Sequence, residues 1–222
     1  MTIAERKERE REERRMQIIT AAERLFFENG YDQVSMEQIA RDAELSKGTI
    51  FVYFKNKEAL YLTIVLQGIR LFHQMISEAV QECEGPAIRR LCTLGMCGIR
   101  FAREYPGYRS LILLFKSGRF SFEDRETTDP EVAEIIAHSD AIIRAMEELV
   151  RSGVEDGTIR NDIDPVELAI IIRMMISCVM DKNPEFLWSL QRSGIDEELL
   201  ISHYMDLVET VIRGPGNESK GV

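Results

Sequence analysis

The sequence lacks the features that would place it in a membrane or direct it out of the cell. No apolar run reaches the roughly 18 residues that a membrane span needs. The nearest candidate, residues 168–180, is interrupted by Arg173. The charged start of the chain, residues 1–15, has no apolar segment of the kind found in signal peptides. These absences predict a soluble cytoplasmic protein with no membrane partner.

Cysteine and histidine are sparse and do not occur at metal-binding spacings. The four cysteines are Cys83, Cys92, Cys97 and Cys178, and no two of them form a CxxC pair. We expect reduced thiols in a core, with a redox or metal role as the alternative, and predict neither a metal nor another cofactor. The chain also has no G-x-S-x-G elbow, phosphate loop, H-E-x-x-H or dinucleotide fingerprint, so an enzyme is not predicted.

Positive charge is also scarce, and its distribution is informative. The whole chain has 28 Lys and Arg against 38 Asp and Glu, a net charge of −10. Through Leu60 the count is 11 against 12, or −1, which leaves 17 against 26, or −9, for the remainder. Phosphates would repel the acidic remainder. Any DNA binding is therefore expected in the N-terminal quarter.

Alternating strand patterns are hard to find, whereas almost every periodic segment repeats every 3.6 residues. We therefore predict an all-α protein of about nine helices. The first helix is predicted to end at Glu28, because Asn29 and Gly30 tolerate the left-handed conformation that ends helices. By similar reasoning Gly153 is predicted to end a later helix, and residues 183–194 are predicted to form a linker with at most one helical turn.

Two short capped helices between Ser35 and Phe54 predict a helix-turn-helix, whose second helix fits the major groove of DNA. Ser35 and Gln38 have capping-box spacing, and after a three-residue break Ser46 can cap the second helix. Ser35 and Lys57 also begin helices, where backbone N–H groups favour an anion. The residues predicted to face outward on the second short helix are Lys47, Gly48, Thr49, Val52 and Tyr53.

Residues 34–60, VSMEQIARDAELSKGTIFVYFKNKEAL, resemble the DNA-binding signature of the TetR family of transcriptional regulators. The preceding AAERLFFENGYDQV and the later GTIRNDIDPVELA are also similar to that family. The resemblance implies an all-helical homodimer that binds a palindromic operator through its first three helices. It carries the DNA-contacting roles onto Ser35, Lys47, Gly48, Thr49, Tyr53 and Lys57.

Two residues depart from the family pattern. Glu44 stands where the family often has glycine, which predicts either mild strain or a different turn geometry. Phe51 stands where the family often has tyrosine, so one possible phosphate contact is in doubt.

The predicted organisation is a DNA-binding domain with a charged N-terminal arm over residues 1–60, a helical effector-binding and dimerisation domain over 61–213, and a disordered tail over 214–222.

Two apolar stripes near the C-terminus have the spacing of helix faces that seal bundles. Packing within one chain explains them as readily as a partner does, and the resemblance favours a two-fold dimer interface. The predicted interface residues are Leu168, Ile171, Met175, Leu200, Tyr204, Leu207 and Val211.

Methionine and aromatic residues in the middle of the chain can line an adaptable apolar cavity for a small-molecule effector. An ordinary core is the alternative for each of them. The surplus negative charge of this region favours a cationic or neutral lipophilic effector. The predicted pocket residues are Phe72, Met75, Met96, Tyr108, Arg109, Phe115, His138, Met146 and Met174.

The resulting functional prediction is a ligand-responsive transcriptional regulator, of repressor type, that binds an inverted repeat in double-stranded DNA as a dimer. Effector binding is expected to move the long helix that starts at Lys57 and to spread the two recognition helices. The alternative is a helical adaptor whose helix-turn-helix binds protein instead of DNA.

Overall fold

The computed structural model describes residues 2–120, 129–180 and 184–213. Within these ranges it contains ten α-helices and no strand, which confirms the all-α prediction. The helices are α1 (Ile3–Gln33), α2 (Met36–Asp42), α3 (Lys47–Tyr53), α4 (Lys57–Glu82), α5 (Ala87–Glu104), α6 (Pro106–Lys116), α7 (Pro130–Glu155), α8 (Pro165–Met180), α9 (Pro184–Ser193) and α10 (Glu197–Arg213).

One predicted helix end and one predicted linker are wrong. The break predicted at Asn29 and Gly30 is present as a kink, where Gly30 takes φ 76° and ψ 159°, and helical residues continue after it to Gln33. α7 also runs through Gly153, where an added Cβ would lie 2.3 Å from Ile159 Cδ1, so this glycine permits close packing. The predicted linker over residues 183–194 contains helix α9. The predicted disordered tail lies outside the described residues.

The chain packs as two compact units. The N-terminal unit comprises Met1–Leu71 and Tyr105–His138, and the C-terminal unit comprises Phe72–Glu104 and Ser139–Val222. The predicted boundary at residue 60 is a division by function, and it stays a prediction.

The interior of the N-terminal unit ties α1, α4 and α6 together. Tyr61 of α4 is fully buried, and its hydroxyl donates a hydrogen bond to the carbonyl oxygen of Leu111 in α6 at 2.9 Å. The rings of Tyr61 and Tyr31 of α1 lie 4.9 Å apart between centroids. The Tyr108 hydroxyl of α6 bonds Glu23 Oε2 of α1 at 3.0 Å. A displacement of α4 or α6 in this unit therefore acts directly on α1.

The C-terminal unit is organised around α5, α8 and α10. At Gly95 of α5 these helices approach so closely that an added Cβ would lie 3.0 Å from Ile176 Cδ1 of α8 and 3.2 Å from Met205 Cε of α10. Further along, the Tyr204 hydroxyl of α10 donates to the Met175 carbonyl oxygen of α8 at 2.5 Å. α8 and α10 therefore pack against each other. Two helices must be neighbours in this way if their exposed residues are to form one surface.

Among the described helices, α4 alone is long and apolar enough to cross a membrane by length and composition. However, 61% of its apolar window is buried inside the structure. The core helix of a soluble protein passes the same test, so α4 is weak evidence for a membrane span.

Candidate nucleic-acid interface

The helix-turn-helix begins with the predicted capping box at α2. The Ser35 hydroxyl accepts a hydrogen bond from the Gln38 backbone N–H at 3.2 Å, and Gln38 Oε1 accepts from the Ser35 N–H at 2.7 Å. The backbone N–H and the hydroxyl of Ser35, the groups with which it could meet a phosphate, therefore already have partners. Ser35 positions α2, and its contact with DNA stays a prediction.

The turn after α2 has the strained geometry that the sequence allowed. Glu44 is the one residue other than glycine with positive φ in the described chain, at 53°. The Glu44 N–H donates to the Arg41 carbonyl oxygen at 3.1 Å, and the Leu45 N–H donates to the Ala40 carbonyl oxygen at 2.9 Å. These hydrogen bonds satisfy the last carbonyls of α2 while holding Glu44 in a left-handed conformation.

The recognition helix α3 is capped as predicted and presents most of its residues to solvent. The Ser46 hydroxyl accepts from the Thr49 backbone N–H at 3.0 Å. Within α3 only Ile50 is buried. Lys47 and Gly48 are exposed, and Thr49 and Tyr53 are half-exposed. α3 therefore presents hydrogen-bond donors of the predicted types on an accessible face.

Two apolar side chains share the exposed surface of α3. Val52 is 74% exposed and Phe51 is 44% exposed. An apolar side chain at a DNA interface can contact the methyl group of thymine. The phenylalanine has no hydroxyl with which to replace the phosphate contact expected of a tyrosine.

The ammonium group of Lys47 lies between the two helices of the motif. It forms an ion pair with Glu37 of α2, and this hydrogen bond lowers the pKa of the Glu37 carboxyl. Both side chains are more than half exposed, so the pair is screened by solvent and is easily exchanged for a phosphate. Sequence reasoning missed Glu37 as a neighbour, since the two residues are ten positions apart.

Lys57 differs most from its predicted role. Its ammonium group donates to the carbonyl oxygens of Tyr31 at 2.9 Å and Val34 at 2.8 Å, and it lies 4.1 Å from the centroid of the Tyr31 ring. Burial lowers the pKa of this amine. Lys57 therefore holds the end of α1 in place, and its ammonium group already has two carbonyl partners.

Two basic residues that are not among the predicted DNA contacts lie beside Tyr53. Arg15 of α1 and Lys55, between α3 and α4, line a cavity of about 340 Å³ together with Tyr53, Asp129 and Glu131. The guanidinium carbon of Arg15 lies 5.3 Å from the centre of the Phe54 ring, within cation–π distance. The available signal was the run of basic residues in the arm, whose orientation only the structure gives.

The predicted pocket residues are divided between the two units. Tyr108, Arg109, Phe115 and His138 belong to the N-terminal unit, and Phe72, Met75, Met96, Met146 and Met174 belong to the C-terminal unit. The prediction that they line one pocket stays a prediction.

Two of the predicted pocket residues are exposed methionines. Met174 is 64% exposed on α8, which contradicts a place in an enclosed cavity. Met96 is 46% exposed and lines an open groove of about 730 Å³ together with Arg100, Arg103 and Met205. Sequence reasoning also missed Gln67 of α4, whose Oε1 atom is buried without a hydrogen-bond partner among the described residues.

The predicted dimer residues divide by exposure. Leu168 is fully buried within the protomer, so it is wrong as an interface residue. Leu207 is 64% exposed and Val211 40% exposed, as an interface requires of the free protomer. The residues with intermediate exposure are Ile171, Met175, Leu200 and Tyr204.

The exposed apolar surface of α8 also includes residues outside the predicted stripe. Ile170 is 42% exposed, and Met174 lies one helical turn further along. We call the exposed residues Ile170, Met174, Leu207 and Val211 the α8–α10 apolar surface. Together they form a better candidate for a dimer interface than the predicted stripe alone.

Comparisons with known proteins agree with the geometry. The family model described as bacterial regulatory proteins, tetR family, matches residues 18–64. The transcriptional regulator HbdR of Aromatoleum sp. (strain CIB) is 33% identical over 128 residues, which are 55% of this chain and 56% of HbdR. The chain thus covers little more than half the length of this curated relative.

Solved structures share the fold along most of the chain. The fatty acid degradation regulator FadR from Bacillus halodurans superposes with a TM-score of 0.65 and 21% identity, covering 90% of this chain and 96% of its own. AibR, solved with isovaleryl coenzyme A and operator DNA, gives a TM-score of 0.64 and 22% identity, covering 88% of this chain and 97% of its own. The curated relative HbdR is a transcriptional regulator, in agreement with the prediction that the chain is not an enzyme. Residues 18–64 therefore belong to the tetR family of bacterial regulatory proteins, and the rest of the chain shares the fold of these solved structures.

Proposed function

We propose that this protein represses transcription by binding an inverted-repeat operator as a homodimer, from which a small-molecule effector releases it. The observation that carries this proposal is the exposed face of α3, with Lys47, Thr49 and Tyr53 on a short helix that is capped and anchored by Ile50. A helix presented in this way enters the major groove, where lysine and threonine can meet base edges or phosphates.

The α8–α10 apolar surface supports the proposed dimer. Met174 and Leu207 are each 64% exposed, an unusual state for large apolar side chains on two packed helices of a soluble protein. One recognition helix contacts few bases, whereas two held roughly 34–36 Å apart read a palindrome. Covering this surface with a second copy therefore serves both stability and sequence recognition.

The contacts between α6 and α1 support release by an effector. Tyr108, near the start of α6, donates a hydrogen bond to Glu23 of α1. Arg119, just after the end of α6, forms two hydrogen bonds of 2.5 Å with Asp32 of α1. α6 is therefore attached to α1 near both of its ends. An effector that shifts α6 or α4 would move α1 with it. The coupling that this requires is modest, about 1–3 kcal/mol.

The effector is proposed to be lipophilic, and Gln67 is proposed to contact it. The buried Oε1 atom of Gln67 lacks a hydrogen-bond partner among the described residues, and a donor group on a ligand would remove that cost. The net charge of −9 after Leu60 favours a neutral or cationic molecule, whereas AibR holds an acyl coenzyme A, which is an anion. Calorimetric titration with isovaleryl coenzyme A and with a lipophilic cation such as tetraphenylphosphonium distinguishes these classes.

The DNA-binding proposal is tested with duplexes that the purified protein selects from a random library. We expect Lys47→Ala and Tyr53→Ala each to weaken binding of the selected duplex by roughly 10-fold, since one such contact is worth about 1–3 kcal/mol. Arg89→Ala, which removes one exposed charge from α5, is the matched control and should bind like the wild type. Unchanged binding by both α3 variants in a gel-shift titration contradicts the assignment.

A protein partner for α3 is the second candidate, because Phe51 and Val52 expose apolar surface on the same helix. The two candidates differ in their response to salt. Several phosphate contacts give a steep fall of affinity with increasing salt concentration, whereas an apolar protein interface does not. Failure to select any duplex, together with salt-insensitive capture of a protein through α3, would favour the adaptor.

A further inference from the structure

The N-terminal arm, residues 3–17 of α1, is a largely exposed helix. Thr2 caps it with a complete capping box, in which its hydroxyl accepts from the Glu5 N–H at 3.2 Å. The first contacts with the rest of the unit are made by Arg15, which lies over the Phe54 ring, and by Gln17. Residues 3–14 therefore extend about 18 Å, at 1.5 Å per residue, beyond the packed part of the unit.

Three basic residues of the arm share one face of the helix. At 100° per residue, Lys7, Arg11 and Arg14 fall within an arc of about 60°, and Ile18 falls in the middle of that arc. We call Lys7, Arg11 and Arg14 the basic stripe. All three side chains are exposed, and none forms an ion pair with a residue that the structure describes.

The other basic residues of the arm have carboxylate partners. Arg6 pairs with Glu10 at 2.8 Å, Arg9 pairs with Glu13 at 3.2 Å, and Arg15 pairs with Glu12 at 3.6 Å. Each such pair stabilises an exposed helix by about 0.2–0.5 kcal/mol. Among the described residues the basic stripe forms no such pair, so its donors are available to an anion.

The stripe faces the same way as the core side of α1. Ile18 is fully buried, and next to it the Gln17 amide donates to the Ala43 carbonyl oxygen in the helix-turn-helix at 2.8 Å. The basic stripe therefore continues, toward the N-terminus, the side of α1 that packs against the helix-turn-helix.

The root of the arm is continuous with the DNA-facing surface. Arg15 lines the same cavity as Tyr53 and Lys55 at the end of α3. Asp129 and Glu131 also line that cavity. Arg15 therefore links the arm to the residues at the end of α3, while the net charge of the chain after Leu60 is −9.

We propose that the basic stripe binds the phosphate backbone of duplex DNA beside the site read by α3 and so extends the operator contact. This inference rests on the proposed DNA-binding function. The bound chemistry is the row of phosphates on one strand, and the contact carries no base specificity. Each protomer then adds up to three phosphate contacts to those of its recognition helix.

The test compares two double variants of the arm. Arg11→Gln/Arg14→Gln removes two charges from the stripe, and Arg6→Gln/Arg9→Gln removes the same charges from the paired face. Glutamine is a good helix former, and circular dichroism checks that the arm stays helical. Affinity is measured against salt concentration on a mixed-sequence duplex of about 40 base pairs, long enough for both protomers.

We expect the slope of log affinity against log salt to fall by about 1.8 per bound protomer for the stripe variant, since each phosphate contact contributes about 0.9. The slope of Arg6→Gln/Arg9→Gln should stay close to that of the wild type. Arg11→Lys/Arg14→Lys keeps the charge and should restore the slope.

Equal slopes for the two double variants would overturn the inference while leaving the proposed function intact. If the wild type itself shows no salt-dependent binding to any duplex, the proposed function fails, and the inference fails with it.

Discussion

The two helices that carry the main proposed contacts, α3 and α8, are specified by the sequence in opposite ways. α3 has seven residues and buries only Ile50, and its limits and outward face are set by local rules such as the Ser46 cap. α8 has 16 residues and contains only two charged ones, Glu167 and Arg173. Its orientation is set by packing against α5 and α10 within the C-terminal unit.

The difference teaches which functional surfaces can be identified from a sequence. On α3 the side chains proposed to contact DNA are polar, and their exposure follows because Ile50 alone is buried. On α8 the side chains proposed for the interface and those of the core are both apolar, so residue type does not separate them. A change of two positions decides the outcome there, since Leu168 is buried and Ile170 is exposed.

The largest expected effect comes from charging the α8–α10 apolar surface. We expect Met174→Glu/Leu207→Glu to weaken self-association by about 100-fold or more, because burying unpaired carboxylates in an interface costs several kcal/mol. Both residues are 64% exposed, so the protomer should still fold. Sedimentation velocity over a concentration series measures the change, and a gel shift measures the accompanying loss of operator affinity.

Met96→Glu is the matched control for this variant. Met96 is also a large exposed apolar residue of the C-terminal unit, but it lies on α5. If Met96→Glu dissociates the protein and the α8–α10 variant does not, the proposed interface is on the wrong helices, and the comparison between α3 and α8 loses its functional meaning.

The sequence predicted most of what is local in the N-terminal unit and less of what depends on distant contacts. Both caps of the helix-turn-helix and the unusual turn at Glu44 follow from residues within four positions of each other. Lys57 was misjudged because its carbonyl partners, at Tyr31 and Val34, are more than 20 positions away. A lysine at a helix start has the same local pattern whether it binds a phosphate or clamps another helix.

In the C-terminal unit, glycine and polar residues predicted the ends of helices poorly, because these ends also depend on distant contacts. Gly153 was read as a helix end, but it is the neighbouring Ile159 side chain that requires a glycine there. Helix α9 was read as a linker because Asn183 and Gly194 bracket a mixed segment. In both cases the missing information is which residues from elsewhere in the chain lie against the segment.

The left-handed conformation of Glu44 offers a test of local structure in the N-terminal unit. Glu44→Gly should raise the free energy of unfolding by about 1 kcal/mol, since a residue with a Cβ pays roughly 1–2 kcal/mol in the left-handed conformation and glycine offsets part of that gain by its greater freedom when unfolded. Glu44→Ala removes the same charge but keeps the strain, so its stability should match the wild type. Urea unfolding measures both, and equal stabilisation by glycine and alanine would assign the effect to charge.

The smallest expected effect separates stability from DNA binding at α3 itself. An added Cβ at Gly48 would meet only the Ser46 Oγ atom, at 3.7 Å, so Gly48→Ala should raise the free energy of unfolding by about 0.5–1 kcal/mol through its better helix propensity. If Gly48 lets the helix backbone approach the duplex, the same variant should bind the selected operator more weakly. Glu44→Gly is the comparison, because it stabilises the same motif away from the exposed face of α3 and should leave affinity unchanged. A Gly48→Ala protein that is more stable and binds DNA as well as the wild type would show that the start of α3 does not lie against the duplex, and the proposed contacts would then have to lie nearer to Val52 and Tyr53.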